Sequence, residues 1–91
     1  MRRRKIFKSP DDTVIYGYRV RNPTNRLQVV TIYRYGSYVP LHRAVVGPDS
    51  LGGVDFFPEP LIARHLVAEA STRVDITVLQ PSQPTPTKGN L

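Results

Sequence analysis

The chain has 91 residues, the length of one small domain, and it contains no cysteine. A disulfide framework, a thiolate metal site and a thiol nucleophile are therefore excluded within it. Thirteen lysines and arginines against seven acidic residues give a formal net charge of +6, which favours an anionic partner.

The positive charge is concentrated in two segments of the chain. Residues 1–8 carry five cations and no acid, and residues 13–48 carry five arginines and no acid. Residues 49–91 are mildly acidic, so the charge distribution is sided. All five tyrosines lie among the arginines of the acid-free segment. These residues are Arg19, Arg21, Arg26, Arg34 and Arg43 together with Tyr16, Tyr18, Tyr33, Tyr35 and Tyr38.

Composition divides the chain into three parts. Residues 1–12 form a basic N-terminal arm, residues 13–80 form one small folded domain, and residues 81–91 form a proline-rich tail that is extended or disordered. No apolar run approaches the roughly 20 residues that a membrane span requires. A domain this small without disulfides favours a cytoplasmic or otherwise intracellular location, or a place within a virion.

The first half of the domain predicts three antiparallel strands. Thr13–Arg21 is rich in β-branched and aromatic residues that alternate with period two. A turn at residues 22–25 separates it from a second strand, Arg26–Tyr35. Gly36-Ser37 is typical of a two-residue hairpin turn and leads to a third strand, Tyr38–Val46. The sequence therefore predicts a three-stranded antiparallel meander.

The second half predicts one helix and a final strand. Residues 47–53 have the composition of a loop, and Val54–Phe57 is either a short strand or an apolar plug. Apolar residues at helical spacing predict a helix over Leu61–Ser71, which Pro60 introduces near its first turn. Arg73–Gln80 alternates apolar and polar residues and predicts the last strand.

The resulting order, β-β-β-α-β, describes a small α+β domain in which one helix covers an antiparallel sheet. The alternative is a partly open β-barrel with a helical insertion. In the first strand, alternation places Tyr16 and Tyr18 on the face that packs against the helix. The same alternation places Arg19 and Arg21 on the open face.

The sequence contains no constellation that indicates catalysis or metal binding. His42 and His65 are its two histidines, and their spacing to acidic residues matches no zinc motif. No Gly-x-Ser-x-Gly element supports a catalytic triad, and the glycines of residues 47–53 lack the Gly-Lys-Ser/Thr ending of a phosphate loop. We therefore expect a protein that is not an enzyme and uses neither a metal nor another cofactor.

The combination of cations and aromatic rings predicts a small non-catalytic module that binds nucleic acid. Stacking requires unpaired bases, so RNA or single strands are favoured over duplex DNA. The predicted contact surface is the basic arm together with the open sheet face. The predicted phosphate contacts are Arg2, Arg3, Arg4, Lys5, Arg19, Arg21 and Arg34, and the predicted stacking residues are Tyr18, Tyr33 and Tyr38.

The same residues support an alternative function in a different class. Arginine and tyrosine are also the preferred anchors of protein interfaces. A small domain with two extended ends is typical of a structural or interaction subunit of a larger assembly, such as a virion or an enzyme complex. In that case the ends would wrap around neighbouring subunits.

Overall fold

The computed structural model describes residues 2–8, 11–71 and 73–81, and these residues form seven strands in two antiparallel sheets. The four-stranded sheet has the order β1-β6-β3-β4, and the three-stranded sheet has the order β5-β2-β7. The strands are β1 (Arg2–Lys5), β2 (Val14–Asn22), β3 (Gln28–Arg34), β4 (His42–Val46), β5 (Ser50–Ile62), β6 (Leu66–Ala70) and β7 (Asp75–Leu79).

The two sheets pack against each other around a single apolar core. Side chains from both sheets form one continuous buried cluster, to which Ile15 and Val20 contribute from β2 and Ile32 and Ala68 from the four-stranded sheet. The ring of Phe57 stacks on Tyr18 with 5.6 Å between the ring centroids. Both sheets therefore have one inner face toward this core and one outer face.

The prediction of an α+β domain is wrong, because the described residues contain no α-helix. The predicted helix over Leu61–Ser71 is replaced by the end of β5, a 3-10 turn at Ala63–His65 and strand β6. Strand β6 lies between β1 and β3, and Leu66, Val67, Ala68 and Ala70 are all buried. A strand covered on both faces shows a continuous apolar run, which periodicity alone does not distinguish from a buried helix. The alternative barrel fails for the same reason, since it also required a helix.

The predicted meander is also wrong, although its strands are present. The antiparallel pairing of β3 with β4 is confirmed, with Gln28 opposite Val46 and Ile32 opposite His42. The predicted two-residue turn is wrong, because β4 begins at His42 and not at Tyr38, so residues 35–41 connect the two strands. Strand β2, however, pairs with β5 and β7 in the other sheet. The connection between β2 and β3 therefore crosses from one sheet to the other.

The segment predicted as an apolar plug or short strand, Val54–Phe57, lies in the middle of β5, which begins at Ser50 within the predicted loop. Its strand alternative is confirmed. The predicted last strand is confirmed as β7, with shorter bounds than Arg73–Gln80.

A register shift between β2 and β5 accompanies a change in which side chains of β2 face the core. The pairing with β5 shifts between Ile15, which lies opposite Leu61, and Gly17, which lies opposite Phe56. Ile15 and Tyr18 are both fully buried, so the strict alternation predicted for this strand is interrupted between them. Tyr16 consequently lies on the surface, where 42% of it is exposed.

Asn22 fixes the connection from β2 to β3 from inside the protein. Its Nδ2 lies within hydrogen-bond distance of the carbonyl oxygens of Arg26 (2.7 Å), Val46 (3.1 Å) and Gly47 (2.9 Å). Its Oδ1 accepts hydrogen bonds from the backbone N–H and the hydroxyl of Thr24. The amide is fully buried and has partners at both ends, which is the condition for burying a polar side chain.

Residues 2–5 of the predicted arm form strand β1, which pairs with β6 over its whole length. The predicted tail, residues 81–91, lies outside the described residues except for Pro81. No helix within the described ranges is long and apolar enough to cross a membrane.

Candidate nucleic-acid interface

The outer face of the four-stranded sheet collects cations and aromatic rings from four strands. The strand register places Arg3, Glu69, Thr31 and Arg43 side by side in one row across β1, β6, β3 and β4. Residues that are opposite each other in neighbouring strands share a face. A second row contains Lys5, Val67 and Tyr33. We call this surface, together with Tyr35 and Tyr38 of the β3–β4 connection, the cationic face.

Arg3 is held between two tyrosine rings of the cationic face. Its guanidinium carbon lies 3.9 Å from the ring centroid of Tyr33 and 4.4 Å from that of Tyr38. Its Nη1 donates a hydrogen bond to the carbonyl oxygen of Ser37 at 2.7 Å, and its Nε lies 3.6 Å from a carboxylate oxygen of Glu69. Arg3 is therefore engaged within the protein, and it fastens β1 to the connection between β3 and β4.

That connection presents two tyrosines to solvent. Gly36 adopts a positive φ of 80°, and the Ser37 N–H donates to the Arg34 carbonyl oxygen at 2.9 Å, which closes a tight turn. Tyr35 is 73% exposed and Tyr38 is 82% exposed. Rings that are this exposed on a fixed turn offer flat apolar surfaces for stacking.

Lys5 and Arg43 are the cations of this face that remain available to a ligand. The Lys5 ammonium lies 5.9 Å from the ring centroid of Tyr35, and both cations are exposed. Among the described residues, no carboxylate lies within ion-pair distance of either cation. Adjacent strands are about 4.8 Å apart, so the outer strands that carry Lys5 and Arg43 are separated by about 14 Å.

The three tyrosines predicted to stack lie in different environments. Tyr18 is fully buried and its hydroxyl is hydrogen-bonded to Nδ1 of His42 at 2.7 Å, so its ring offers no surface to a base. Burial, and secondarily the charge of Asp55, raise the pKa of the Tyr18 phenol well above its ordinary range. Tyr33 is 8% exposed beneath Arg3. Of the three predicted residues, Tyr38 is the one with an exposed ring.

The predicted phosphate contacts are distributed over several surfaces. Arg19 and Arg21 lie on the outer face of the three-stranded sheet, away from the cationic face, and Arg21 forms an ion pair with Asp75 at 2.9 Å. Arg34 is exposed at the end of β3 and lines a surface depression with Glu59. The structure therefore does not bring these three arginines together with the cations of β1.

The cations of β1 alternate between the two faces of the sheet. Arg3 and Lys5 belong to the cationic face, whereas Arg4 occupies the opposite side and donates from Nη2 to the Val74 carbonyl oxygen at 2.6 Å. Arg2 is exposed at the start of the strand. Arg4 also lines a depression of about 330 Å³ with Lys8.

Two residues outside the predicted site, Tyr35 and Arg43, contribute to the cationic face. The exposure of Tyr35 could have been predicted from the sequence, because Tyr35 directly precedes Gly36 and turn residues are exposed. Arg43 joins the face because it lies opposite Thr31 across the β3–β4 hairpin. Its proximity to β1 depends on the pairing of β6 with both β1 and β3, which the sequence did not predict.

No group of three or more histidine, aspartate or glutamate side chains suited to a metal ion occurs in the part of the chain that the structure describes. Comparison of the chain with family models, with curated proteins and with solved structures gave no match.

Proposed function

We propose that this protein is a non-catalytic module that binds nucleic acid, RNA or single strands, on its cationic face. The observation that carries the proposal is the placement of two exposed tyrosine rings, Tyr35 and Tyr38, directly against the cations of β1. Binding of single strands combines stacking of bases on aromatic rings with contacts from cations to the phosphates. The cationic face offers both within one surface.

Each part of the face has a distinct role in this proposal. Tyr35 and Tyr38 stack with unpaired bases. Lys5 and Arg43 contact phosphates near the two opposite edges of this face. Arg3 positions the Tyr38 ring rather than binding a phosphate, because its guanidinium already lies against two rings and the Ser37 carbonyl. Thr31, at the centre of the row, is 5% exposed and forms part of the floor.

Single strands fit this surface better than a duplex. Stacking on Tyr35 and Tyr38 requires bases that are not already paired and stacked. Readout of duplex DNA generally uses a helix or a two-stranded ribbon that enters the major groove. The described residues form no α-helix, and the exposed rings lie on a sheet face and its adjoining turn.

The test is a titration of fluorescently labelled oligouridine, oligothymidine and a duplex at several salt concentrations. The double variant Lys5→Ala, Arg43→Ala removes the two available cations of the face. The matched control, Arg26→Ala, Arg73→Ala, removes two exposed cations from loops and changes the net charge equally. If two phosphate contacts are lost, the slope of log K against log salt falls by about 1.4 for single strands. The control retains the wild-type slope.

A second pair of variants tests the stacking residues. Tyr35→Ala is expected to weaken binding to single strands about tenfold, because one stacked base contributes about 1–3 kcal/mol. Val39→Ala serves as its control, since Val39 is 72% exposed in the same connection and Tyr35 is 73% exposed. Absence of binding at low salt, or equal losses in both members of a pair, would overturn the proposal.

A further inference from the structure

The outer face of the three-stranded sheet differs in character from the cationic face. Its central strand, β2, places Arg19 between Val54 of β5 and Thr77 of β7. The neighbouring rows place Leu51 and Asp75 on either side of Arg21, and Phe56 and Leu79 on either side of Gly17. We call the surface formed by Leu51, Val54, Phe56, Leu79 and Arg19 the apolar face.

Large apolar side chains lie open to solvent along β5. Phe56 is 67% exposed and Leu51 is 61% exposed, and neither belongs to the core cluster or to the side chains packed against it. Strand β5 is an edge strand, so these side chains lie at the border of the sheet. Adjacent exposed apolar side chains on a small domain indicate a surface that binds another molecule.

The arginine at the centre of this face lacks an acceptor that its neighbour has. Arg21 Nη1 donates to the Asp75 carboxylate at 2.9 Å. Arg19, one row away, has its Nε buried without a hydrogen-bond partner among the described residues. A buried donor without an acceptor is costly, and a carboxylate is the strongest acceptor that a protein offers to a guanidinium. The face thus combines apolar side chains with one arginine that has no ion-pair partner among the described residues.

We propose that the apolar face binds an extended segment of a partner protein that presents one carboxylate to Arg19 between large apolar side chains. The carboxylate pairs with the guanidinium of Arg19, which is half-buried and has no ion-pair partner among the described residues, and the flanking apolar side chains cover Phe56 and Leu51. An extended segment has this pattern when an acidic residue alternates with apolar residues, because alternate side chains point to one side.

Charge complementarity favours this partner over two others. A second copy of the chain would offer its own outer face, on which Asp75 is already paired with Arg21. Nucleic acid would meet a face on which that same pairing neutralises one of the two cations and most of the other side chains are apolar. The apolar face therefore has a different occupant from the cationic face, and this proposal does not rest on the proposed function.

The test begins with random peptides displayed on phage and selected against the full-length protein. The expected consensus contains one aspartate or glutamate with large apolar residues two positions away on each side. The consensus peptide is then synthesised in two forms, one with the acidic residue and one with its amide counterpart. The acidic form is expected to bind wild type about tenfold more tightly than the amide form, which corresponds to about 1.4 kcal/mol.

Protein variants locate the binding site of that peptide. Arg19→Met keeps the length of the side chain and removes its donors, and Phe56→Ser removes the exposed ring; each is expected to weaken binding about tenfold. The matched controls on the other sheet are Arg43→Met and Val45→Ser, since Val45 is 60% exposed and Phe56 is 67% exposed. Both controls are expected to bind the peptide like wild type.

Several outcomes would overturn the proposal. One is the absence of any enriched peptide, and another is a consensus without an acidic residue. A third is a peptide whose affinity is unchanged by Arg19→Met or whose acidic and amide forms bind equally. The oligouridine titration on the same variants separates the two proposals, because Arg19→Met is expected to leave binding of single strands unchanged.

Discussion

The hydroxyl of Tyr18 lies 2.7 Å from Nδ1 of His42, and this hydrogen bond joins the two sheets through the core. Tyr18 belongs to β2 in the three-stranded sheet, and His42 begins β4 in the four-stranded sheet. Their rings meet edge to face with 5.6 Å between centroids, and Phe57 contacts both rings, at 5.6 Å from Tyr18 and 6.3 Å from His42. The position of one sheet relative to the other is thus fixed by a polar contact within an apolar layer.

Replacement of Tyr18 by phenylalanine removes this hydrogen bond and leaves the aromatic packing in place. The His42 imidazole then loses a partner in a partly buried position, so we expect the free energy of unfolding to fall by about 1–2 kcal/mol. The measurement is urea denaturation followed by circular dichroism. Tyr38→Phe is the control, because Tyr38 is 82% exposed and its change is expected to stay within about 0.5 kcal/mol. Equal midpoints for the two variants would contradict the bridging role.

Tyr18 also makes the stability of the protein sensitive to alkaline pH. Burial raises the pKa of its phenol above the ordinary value of 10.0, so the folded protein holds Tyr18 neutral where the unfolded chain ionises it. The stabilisation is therefore fully present below pH 10.0 and is lost as the pH rises through the higher folded pKa.

The measurement compares the free energy of unfolding of wild type and Tyr18→Phe from pH 7 upwards. The difference between them is expected to be constant up to about pH 10 and then to shrink by up to about 1.4 kcal/mol per pH unit. Other ionising groups are common to both proteins and cancel in the difference. A difference that stays constant above pH 10 would show that the folded protein does not hold this phenol neutral.

The connection between β2 and β3 depends on the amide of Asn22. Aspartate has the same shape but cannot donate to the carbonyl oxygens of Arg26, Val46 and Gly47. It also places a charge at a fully buried position. We expect Asn22→Asp to lower the free energy of unfolding by about 3 kcal/mol or more at neutral pH. Asn25→Asp, an exposed change in the same connection, is expected to have little effect.

Replacing Gly17 or Gly53 by alanine gives a matched pair of variants that tests how closely β2 approaches β5. A Cβ atom at Gly17 would overlap the backbone carbonyl oxygen of Asp55, which cannot move away without disturbing the strand pairing. A Cβ at Gly53 would meet no atom within 4 Å. We expect Gly17→Ala to destabilise the protein by about 3 kcal/mol, whereas Gly53→Ala is neutral or slightly stabilising. Thermal unfolding measures both, and equal melting temperatures would contradict the close approach.

The sequence predicted individual strands from local patterns, but it did not predict which strands pair when they are distant in the chain. Strands β2, β3, β4 and β7 were recognised because the signals that indicate them, alternation and turn residues, are local in the sequence. Strand β6 was taken for a helix because apolar residues are buried on both of its faces, Leu66 and Ala68 toward the core and Val67 on the outer face, and this removes the alternation. Its position between them depends on pairings such as Arg3 with Glu69, which are distant in the chain.

For the candidate site too, the sequence indicated the types of residue but not which of them the fold brings together. Its composition of cations and tyrosines was evident, but its membership depended on the register. Tyr18 lies in the core, on the inner face that alternation indicates for it, and is therefore unavailable for stacking. Arg19 was separated from Arg3 because β2 joins the other sheet, which no local pattern indicated.

The last prediction concerns Arg3, which was expected to bind phosphate and instead holds β1 to the sheet. Replacement of Arg3 by alanine removes the hydrogen bond to Ser37 and the contacts with the rings of Tyr33 and Tyr38. The charged hydrogen bond and the cation–π contacts together are expected to contribute about 2 kcal/mol to the free energy of unfolding. Urea denaturation of Arg3→Ala measures this loss.

Arg2→Ala is the matched control, because Arg2 is the adjacent cation of the same strand and is exposed. Its effect on stability is expected to stay within about 0.5 kcal/mol. Arg3→Lys keeps the charge but lacks the planar fork of the guanidinium, so its stability is expected to lie between those of Arg3→Ala and wild type. If Arg3→Ala and Arg2→Ala unfolded at the same urea concentration, Arg3 would not fasten β1, and its side chain would be available to a phosphate.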